Sequence, residues 1–151
     1  MVANYERLYE IDCELNTRLV AGCANCEKSK CGTGEPFDIY LWPGERQYLE
    51  PLYKKYADSG KHMTSEFKSG EEDFLTCRWK GGCPKELRPV NCRLAPFSLD
   101  TRGGKTDVLN DYLFQQCELG IFDKEFVTQI IRLIIAMGEE GLLGEYKCQC
   151  T

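Results

Sequence analysis

One stretch of the chain reads Arg88-Pro89-Val90-Asn91-Cys92-Arg93-Leu94-Ala95-Pro96-Phe97. Pro89 fixes its own φ and restricts Arg88 to extended backbone, so the chain approaches Cys92 in a stiff conformation. Arg88 and Arg93 flank that thiol, and their guanidinium groups can donate hydrogen bonds to sulfur, to backbone carbonyls or to a bound anion. We therefore name both arginines as candidate cofactor-binding residues, with bridges to surface carboxylates as the alternative.

Cysteine is the residue whose number sets this chain apart, with ten copies against one histidine in 151 residues. A tetrahedral zinc site takes four ligands and accepts thiolates, and iron–sulfur clusters use the same ligand type. The cysteines fall into three groups along the chain, and the first two groups hold three cysteines each. Because a site needs four ligands, segments distant in sequence are expected to converge on one or two sites as the chain folds. The candidate metal ligands are Cys23, Cys26 and Cys31, then Cys77, Cys83 and Cys92, and finally Cys117, Cys148 and Cys150.

Other interpretations of the cysteines stay open. A disulfide framework is compatible with the even count, but the start of the chain lacks the basic and apolar pattern of a secretory signal. A thioredoxin-like redox pair at Cys23 and Cys26 lacks a preceding strand. Cys13 is expected to be a small buried apolar residue, and a frayed tail is the alternative for Cys148 and Cys150. We therefore predict a cytoplasmic protein, since stable disulfides are rare in that reducing compartment.

Basic residues concentrate around the second cysteine group. From Cys77 to Arg93 there are five basic residues and one acidic residue, a local charge of +4 in a chain whose formal charge is −5. Positive charge close to thiols lowers their pKa and offsets the negative charge of a site built from four thiolates and one zinc ion. The alternative is a solvated basic surface, because lysine and arginine are mostly exposed in proteins.

The composition argues against several function classes. A formal charge of −5 disfavours general nucleic-acid binding, which usually needs a basic excess. No stretch approaches the roughly 18 apolar residues of a membrane span, so neither nucleic acid nor membrane is expected as a partner. His62 lies in a polar segment and is interpreted as a surface residue, which leaves no histidine for a catalytic triad.

Hydrophobic periodicity predicts a small α+β single domain over residues 1–151, with short strands, three or more helices and irregular metal-bound cysteine loops. The predicted helices cover 4–20, a segment from Pro43 that kinks or restarts at Pro51, and 123–137 with Gly138 as its stop. The predicted strands cover 37–42, 74–79 and a hairpin pairing 92–100 with 105–109, while 58–73 is expected to be an exposed loop. The last helix is expected to bury Val127, Ile130, Ile131 and Ile134, and Tyr40, Trp42 and Tyr48 are candidates to line a pocket near the metal.

These motifs together resemble the zinc- or iron-chelating cysteine-cluster proteins of the YkgJ-like (CxxCxxCC) type, which are distantly related to flagellin lysine N-methylases. The resemblance covers about residues 20–120 and implies binding of a metal or a cluster. The family has four closely packed cysteines in its first motif, whereas this chain has three there, so Cys148 or Cys150 is a candidate replacement. The matching parts are Cys23-Ala24-Asn25-Cys26 with Cys31, then Ile39-Tyr40-Leu41-Trp42-Pro43-Gly44-Glu45, then Cys77 and Cys83, then residues 88–97, and later Cys117.

The sequence therefore predicts a cytoplasmic metal-binding protein whose thiolates hold zinc, slightly preferred, or an iron–sulfur centre. One alternative is an enzyme component, either an iron–sulfur redox protein or part of a methylase-like protein-modifying enzyme. A second alternative is a structural zinc module that docks a protein partner. Whether the chain is an enzyme is left open, because the family resemblance implies no secure reaction.

Overall fold

Four α-helices and two small antiparallel sheets form the part of the chain that the computed structural model describes, which is residues 2–11, 34–59, 65–79, 83–94, 97–101, 106–110 and 124–143. This confirms the predicted α+β class, while most of the predicted metal-bound loops lie outside the described residues. The helices are α1 (Tyr5–Glu10), α2 (Glu45–Asp58), α3 (Val90–Leu94) and α4 (Lys124–Glu139). The strands are β1 (Phe37–Tyr40), β2 (Glu66–Lys68), β3 (Phe74–Cys77), β4 (Phe97–Asp100) and β5 (Asp107–Asn110).

The larger sheet has the order β1-β3-β2, and both of its pairings are antiparallel. Strand β3 is central and carries the most buried side chains of the three, with Phe37 opposite Cys77 and Glu66 opposite Thr76. The expected exposed loop over 58–73 is wrong at β2, because Phe67 is half-buried and its ring meets that of Tyr53 at 5.1 Å between centroids. The residues between α2 and β2, His62 among them, lie outside the described part.

Strands β4 and β5 pair antiparallel, as the hairpin prediction required, but the first strand begins later than predicted. Cys92 and Leu94 belong to helix α3 instead. The amides of Cys92 and Arg93 donate to the carbonyl of Pro89 at 3.0 and 3.1 Å, so the proline opens a helical turn. Helix α3 packs against β1, β4 and α4, which places Cys92 at the junction of the two sheets.

Helix α1 packs against α4 and meets α2 through its aromatic rings, and α2 meets the larger sheet through the contact of Tyr53 with Phe67. Asn4 caps α1, since its Oδ1 accepts from the amide of Arg7, and the described part of the predicted 4–20 helix ends near Ile11. Of the predicted kink or restart at Pro51, the restart is wrong, because α2 is a single helix that includes Pro51. Its missing N–H costs one hydrogen bond on the exposed side, while buried Leu49 and Tyr53 hold both flanks of the proline in the core.

The predicted buried stripe of α4 is confirmed at Ile130 and wrong at Ile131, while Val127 and Ile134 are half-buried. Ile130 and Leu133 are buried, whereas Ile131 is 50% exposed and Ile135 is exposed as well. The sequence of α4 is apolar on several sides, so periodicity alone could not select the face that meets α1 and α3. No helix in the described ranges is both long enough and apolar enough to cross a membrane.

The prediction that helix α4 stops at Gly138 is wrong. The helix continues to Glu139, and the chain reverses at Gly141, whose φ is +75°. The amide of Leu142 donates to the carbonyl of Met137 at 3.0 Å, and the amide of Gly141 donates to that of Gly138 at 3.1 Å. These two bonds form a Schellman motif, in which glycine takes the left-handed position after the helix.

The two glycines at this end of α4 should respond oppositely to alanine. Gly141→Ala is expected to lower the free energy of unfolding by about 1–2 kcal/mol, because a Cβ is strained in the left-handed region. Gly138→Ala is expected to raise it by about 0.5–1 kcal/mol, since the new Cβ would meet Leu143 Cδ1 at an ordinary 3.8 Å within a helix. Urea denaturation of both variants tests this, and shifts of the same sign would contradict the assigned helix end.

Candidate metal centre

Three of the nine candidate ligands lie in the described part of the chain. Cys77 is buried at the end of β3, Cys83 is half-buried just before the 3-10 turn Lys85–Leu87, and Cys92 is half-buried in α3. The other candidates lie outside the described residues, together with Cys13; they are Cys23, Cys26, Cys31, Cys117, Cys148 and Cys150.

The hydroxyl of Tyr53, on α2, joins the segments that carry these cysteines. It donates to the carbonyl of Leu87 at 3.1 Å, and it accepts from the indole Nε1 of Trp79 at 3.3 Å. Trp79 lies two residues after Cys77, and Leu87 lies between Cys83 and Cys92. One buried phenol therefore contacts both chain segments of the second cysteine group.

The pKa of Tyr53 is affected by its burial and by all three of these cysteines. Burial raises the pKa of its phenol above the usual range, and the hydrogen bond from Trp79 acts in the opposite direction. Cys83, Cys77 and Cys92 each raise the pKa of Tyr53 further, because a second negative charge beside a thiolate is disfavoured. The three cysteines that affect this one phenol span sixteen residues of sequence.

The described cysteines do not complete a metal site by themselves. Within the described segments, no three side chains of His, Cys, Asp or Glu are grouped closely enough to hold an ion. The donor set nevertheless fits zinc or an iron–sulfur cluster, since it consists of thiols, one buried and two half-buried. Additional ligands would have to come from the cysteines outside these segments.

The two candidate arginines bind backbone carbonyls. Arg88 donates through Nε to the carbonyl of Cys92 at 3.2 Å. Arg93 is 2% exposed and donates through Nε to the carbonyl of Arg88 at 2.7 Å. Its Nη1 reaches the carbonyl of Tyr9 at 3.0 Å, and its Nη2 reaches that of Lys85. These bonds match one of the three roles predicted for the arginines and give them a part in shaping the chain around Cys92.

Glu45 ends the stretch 39–45 that carries part of the family resemblance, but the sequence analysis gave it no role in the site. Its carboxylate is fully buried at the first position of α2 and accepts from the Tyr9 hydroxyl at 2.7 Å, the Val90 amide at 2.7 Å and the Trp42 amide at 3.0 Å. Burial raises the pKa of Glu45, and the three hydrogen bonds and the charge of Arg93 oppose that rise. The available signal was its place at a helix start, where a carboxylate meets free amides.

Asn91 connects the two stretches on which the family resemblance depends most. The indole Nε1 of Trp42 donates to Asn91 Oδ1 at 2.8 Å, and Asn91 Nδ2 donates to the carbonyl of Tyr40 at 2.7 Å. With the bond between Glu45 and Val90, three hydrogen bonds join residues 39–45 to α3. The two motifs, 45 residues apart at that last contact, therefore form one hydrogen-bonded junction next to Cys92 in the chain.

A cavity of about 610 Å³ borders the same junction. Tyr40, Trp42 and Asn91 line one side of it, and Glu71 and Asp73 belong to its acidic rim. Two of the three aromatic residues predicted to line a pocket thus do so. The third, Tyr48, packs instead against Tyr5 and Tyr9, with ring centroids 6.1 and 5.0 Å apart.

Comparisons of this chain with known proteins identify no relative. No family model, no curated protein sequence and no solved structure matches it. The resemblance to the cysteine-cluster family therefore stays a prediction.

Proposed function

We propose that the chain is a metal-binding protein in which Cys77, Cys83 and Cys92 contribute thiolates to a zinc ion or an iron–sulfur centre. The observation that supports this most directly is that the hydroxyl of Tyr53 bonds both segments that carry these cysteines, at Trp79 after Cys77 and at Leu87 between Cys83 and Cys92. The remaining ligands come from the candidate cysteines outside the described segments. The chain is in this proposal a member of the cysteine-cluster family and works in a reducing cytoplasm.

The surroundings of the three thiols favour thiolate–metal chemistry over a free thiol. Cys77 is buried, and Trp79, two residues after it, belongs to a ring cluster with Tyr53 and Tyr56, in which the Tyr56 and Trp79 centroids lie 5.8 Å apart. A buried thiolate is costly without a compensating charge, which a bound metal cation supplies. A site closed by four thiolates holds zinc structurally, because it leaves no open position for a water ligand.

Metal content and the visible spectrum test this proposal and choose the metal. The chain is purified without oxygen, and its zinc, iron and acid-labile sulfide are measured per chain. Stoichiometric zinc in a colourless protein supports a structural site. Iron with labile sulfide and a brown colour supports a redox or cluster-dependent role. Absence of both, after reconstitution with zinc and with iron and sulfide, contradicts the proposed function.

Cys92→Ser is expected to lose metal stoichiometrically and to unfold more easily than the wild type. A serine hydroxyl is a poor ligand for zinc or a cluster at neutral pH, and metal binding is coupled to folding in small sites of this kind. The matched control is Cys13→Ser, which replaces a cysteine predicted not to be a ligand. Retention of full metal content and stability by Cys92→Ser would exclude Cys92 from the site.

A further inference from the structure

We propose that Arg93 is a positioning residue of the metal centre, which folds the segment from Cys83 to Cys92 into its binding shape before the metal arrives. This inference rests on the proposed function and concerns how the site is assembled. Arg93 acts by holding the backbone carbonyls of this segment, and it does not need to contact the metal.

The hydrogen bonds of Arg93 gather carbonyls from both ends of that segment. Nη2 bonds the carbonyl of Lys85, two residues after Cys83, and Nε bonds that of Arg88 at 2.7 Å. Nη1 bonds the carbonyl of Tyr9 in α1 at 3.0 Å, which ties the segment to the core. A planar guanidinium can satisfy three separated acceptors in this way, whereas an ammonium group presents a single point of charge.

The charge of Arg93 is balanced inside the core. Its guanidinium carbon lies 4.1 Å from the centroid of the Tyr9 ring, and the hydroxyl of that ring donates to Glu45. Glu45 in turn accepts the amide of Val90, the first residue of α3. Cys92 therefore lies between two residues that are held by one buried network, Val90 through Glu45 and Arg93 through its three carbonyls.

This arrangement fixes the backbone around Cys92 independently of any metal ligand. Ordering a flexible residue costs backbone entropy, so a segment that is already ordered by folding adds no further ordering cost on metal binding. The backbone of the segment from Cys83 to Cys92 is thus preorganised for metal binding. We call the three hydrogen bonds from Arg93 to the carbonyls of Tyr9, Lys85 and Arg88 the clamp. Loss of the clamp should weaken metal binding even in a variant that still folds.

Arg93→Lys tests the inference, because lysine keeps the positive charge but lacks the planar set of guanidinium donors. The metal-free full chain is titrated with Zn²⁺ and Co²⁺ against a competing chelator, and the visible bands of the Co²⁺ form are recorded. We expect affinity about 10- to 100-fold weaker than that of the wild type and altered Co²⁺ bands. The control is Arg46→Lys, an arginine whose partners are Glu50, Ser69 and Asp73, and it should bind as the wild type does.

The outcomes separate this inference from the proposed function. Wild-type metal binding with an Arg93→Lys affinity within about twofold of it and unchanged Co²⁺ bands overturns the positioning role alone. A wild-type chain that takes up neither ion and no iron–sulfur cluster overturns both.

A second measurement needs no variant and covers the case in which Arg93→Lys fails to fold. Nuclear magnetic resonance of the metal-free wild type should show a slowly exchanging Nε–H for Arg93, because that proton is buried and bonded to Arg88. The Nε–H of Arg46, at a partly exposed site, should exchange faster. Equally fast exchange of both protons would mean that the clamp does not exist before metal binding, and would overturn the inference.

Discussion

Glu45→Ala is expected to lower the free energy of unfolding by about 3–5 kcal/mol, the range observed when one partner of a buried charged network is removed. Three donors would lose their acceptor at once, namely the Tyr9 hydroxyl and the amides of Trp42 and Val90. The buried charge of Arg93 would also lose its electrostatic interaction with this carboxylate. Urea denaturation measures the change.

Two further variants give this prediction its controls. Glu45→Gln keeps the shape and one acceptor oxygen, so we expect a smaller loss of about 1–3 kcal/mol. Glu50→Ala removes an exposed glutamate on the same helix, whose partner is Arg46 at 2.9 Å, and should change stability by less than about 1 kcal/mol. Equal effects at positions 45 and 50 would show that the buried network does not stabilise the fold.

The pH dependence of the same variants follows from the raised pKa of Glu45. Above its ordinary value of 4.5, the unfolded chain loses this proton first, while the folded chain retains it up to the raised pKa. The contribution of Glu45 to stability is therefore fully present below pH 4.5 and declines as the pH rises through the raised pKa. The stability difference between the wild type and Glu45→Gln should shrink over that interval, and a difference that grows with pH would contradict the burial of this carboxylate.

Leu133→Ala is the second substitution with a large expected effect. Leu133 is completely buried in α4 and belongs to the same core cluster as Leu8 and Leu94, so truncation should leave a cavity and cost about 2–5 kcal/mol. Ile131→Ala, on the half-exposed side of the same helix, should cost less than about 0.5 kcal/mol. Thermal unfolding of the pair decides between the two faces, because the sequence pattern placed Ile131 in the buried stripe.

The fold was predictable where local signals agree. Apolar runs and turn glycines predicted strand β3 and the β4–β5 hairpin. The missed elements depend on partners that are distant in sequence. Strand β2 has one half-buried side chain, Phe67, and is recognisable only once β3 pairs with it. The buried face of α4 is likewise selected by α1 and α3, which no window of sequence around it contains.

The candidate site was predictable in its chemistry and much less so in its supports. Cysteine spacing indicated Cys77, Cys83 and Cys92, and nothing local indicated that the phenol of Tyr53 joins their segments. Arg93 was assigned on proximity to Cys92, yet its bonds reach Tyr9, 84 residues away. Buried polar networks of this kind depend on the whole fold, because each donor is matched to an acceptor brought from elsewhere.

The contact between α1 and α4 determines when α1 can dock during synthesis of the chain. The amide of Asn4 and the guanidinium of Arg7 both bind Glu140, across 136 and 133 positions of chain. At translation rates of about 5–20 residues per second, on the order of ten seconds separates the emergence of these partners from the ribosome. The nascent amino-terminal helix, only six residues long, is too short to persist alone for that time. Docking of α1 is therefore a late event, which follows the emergence of the helix that receives it.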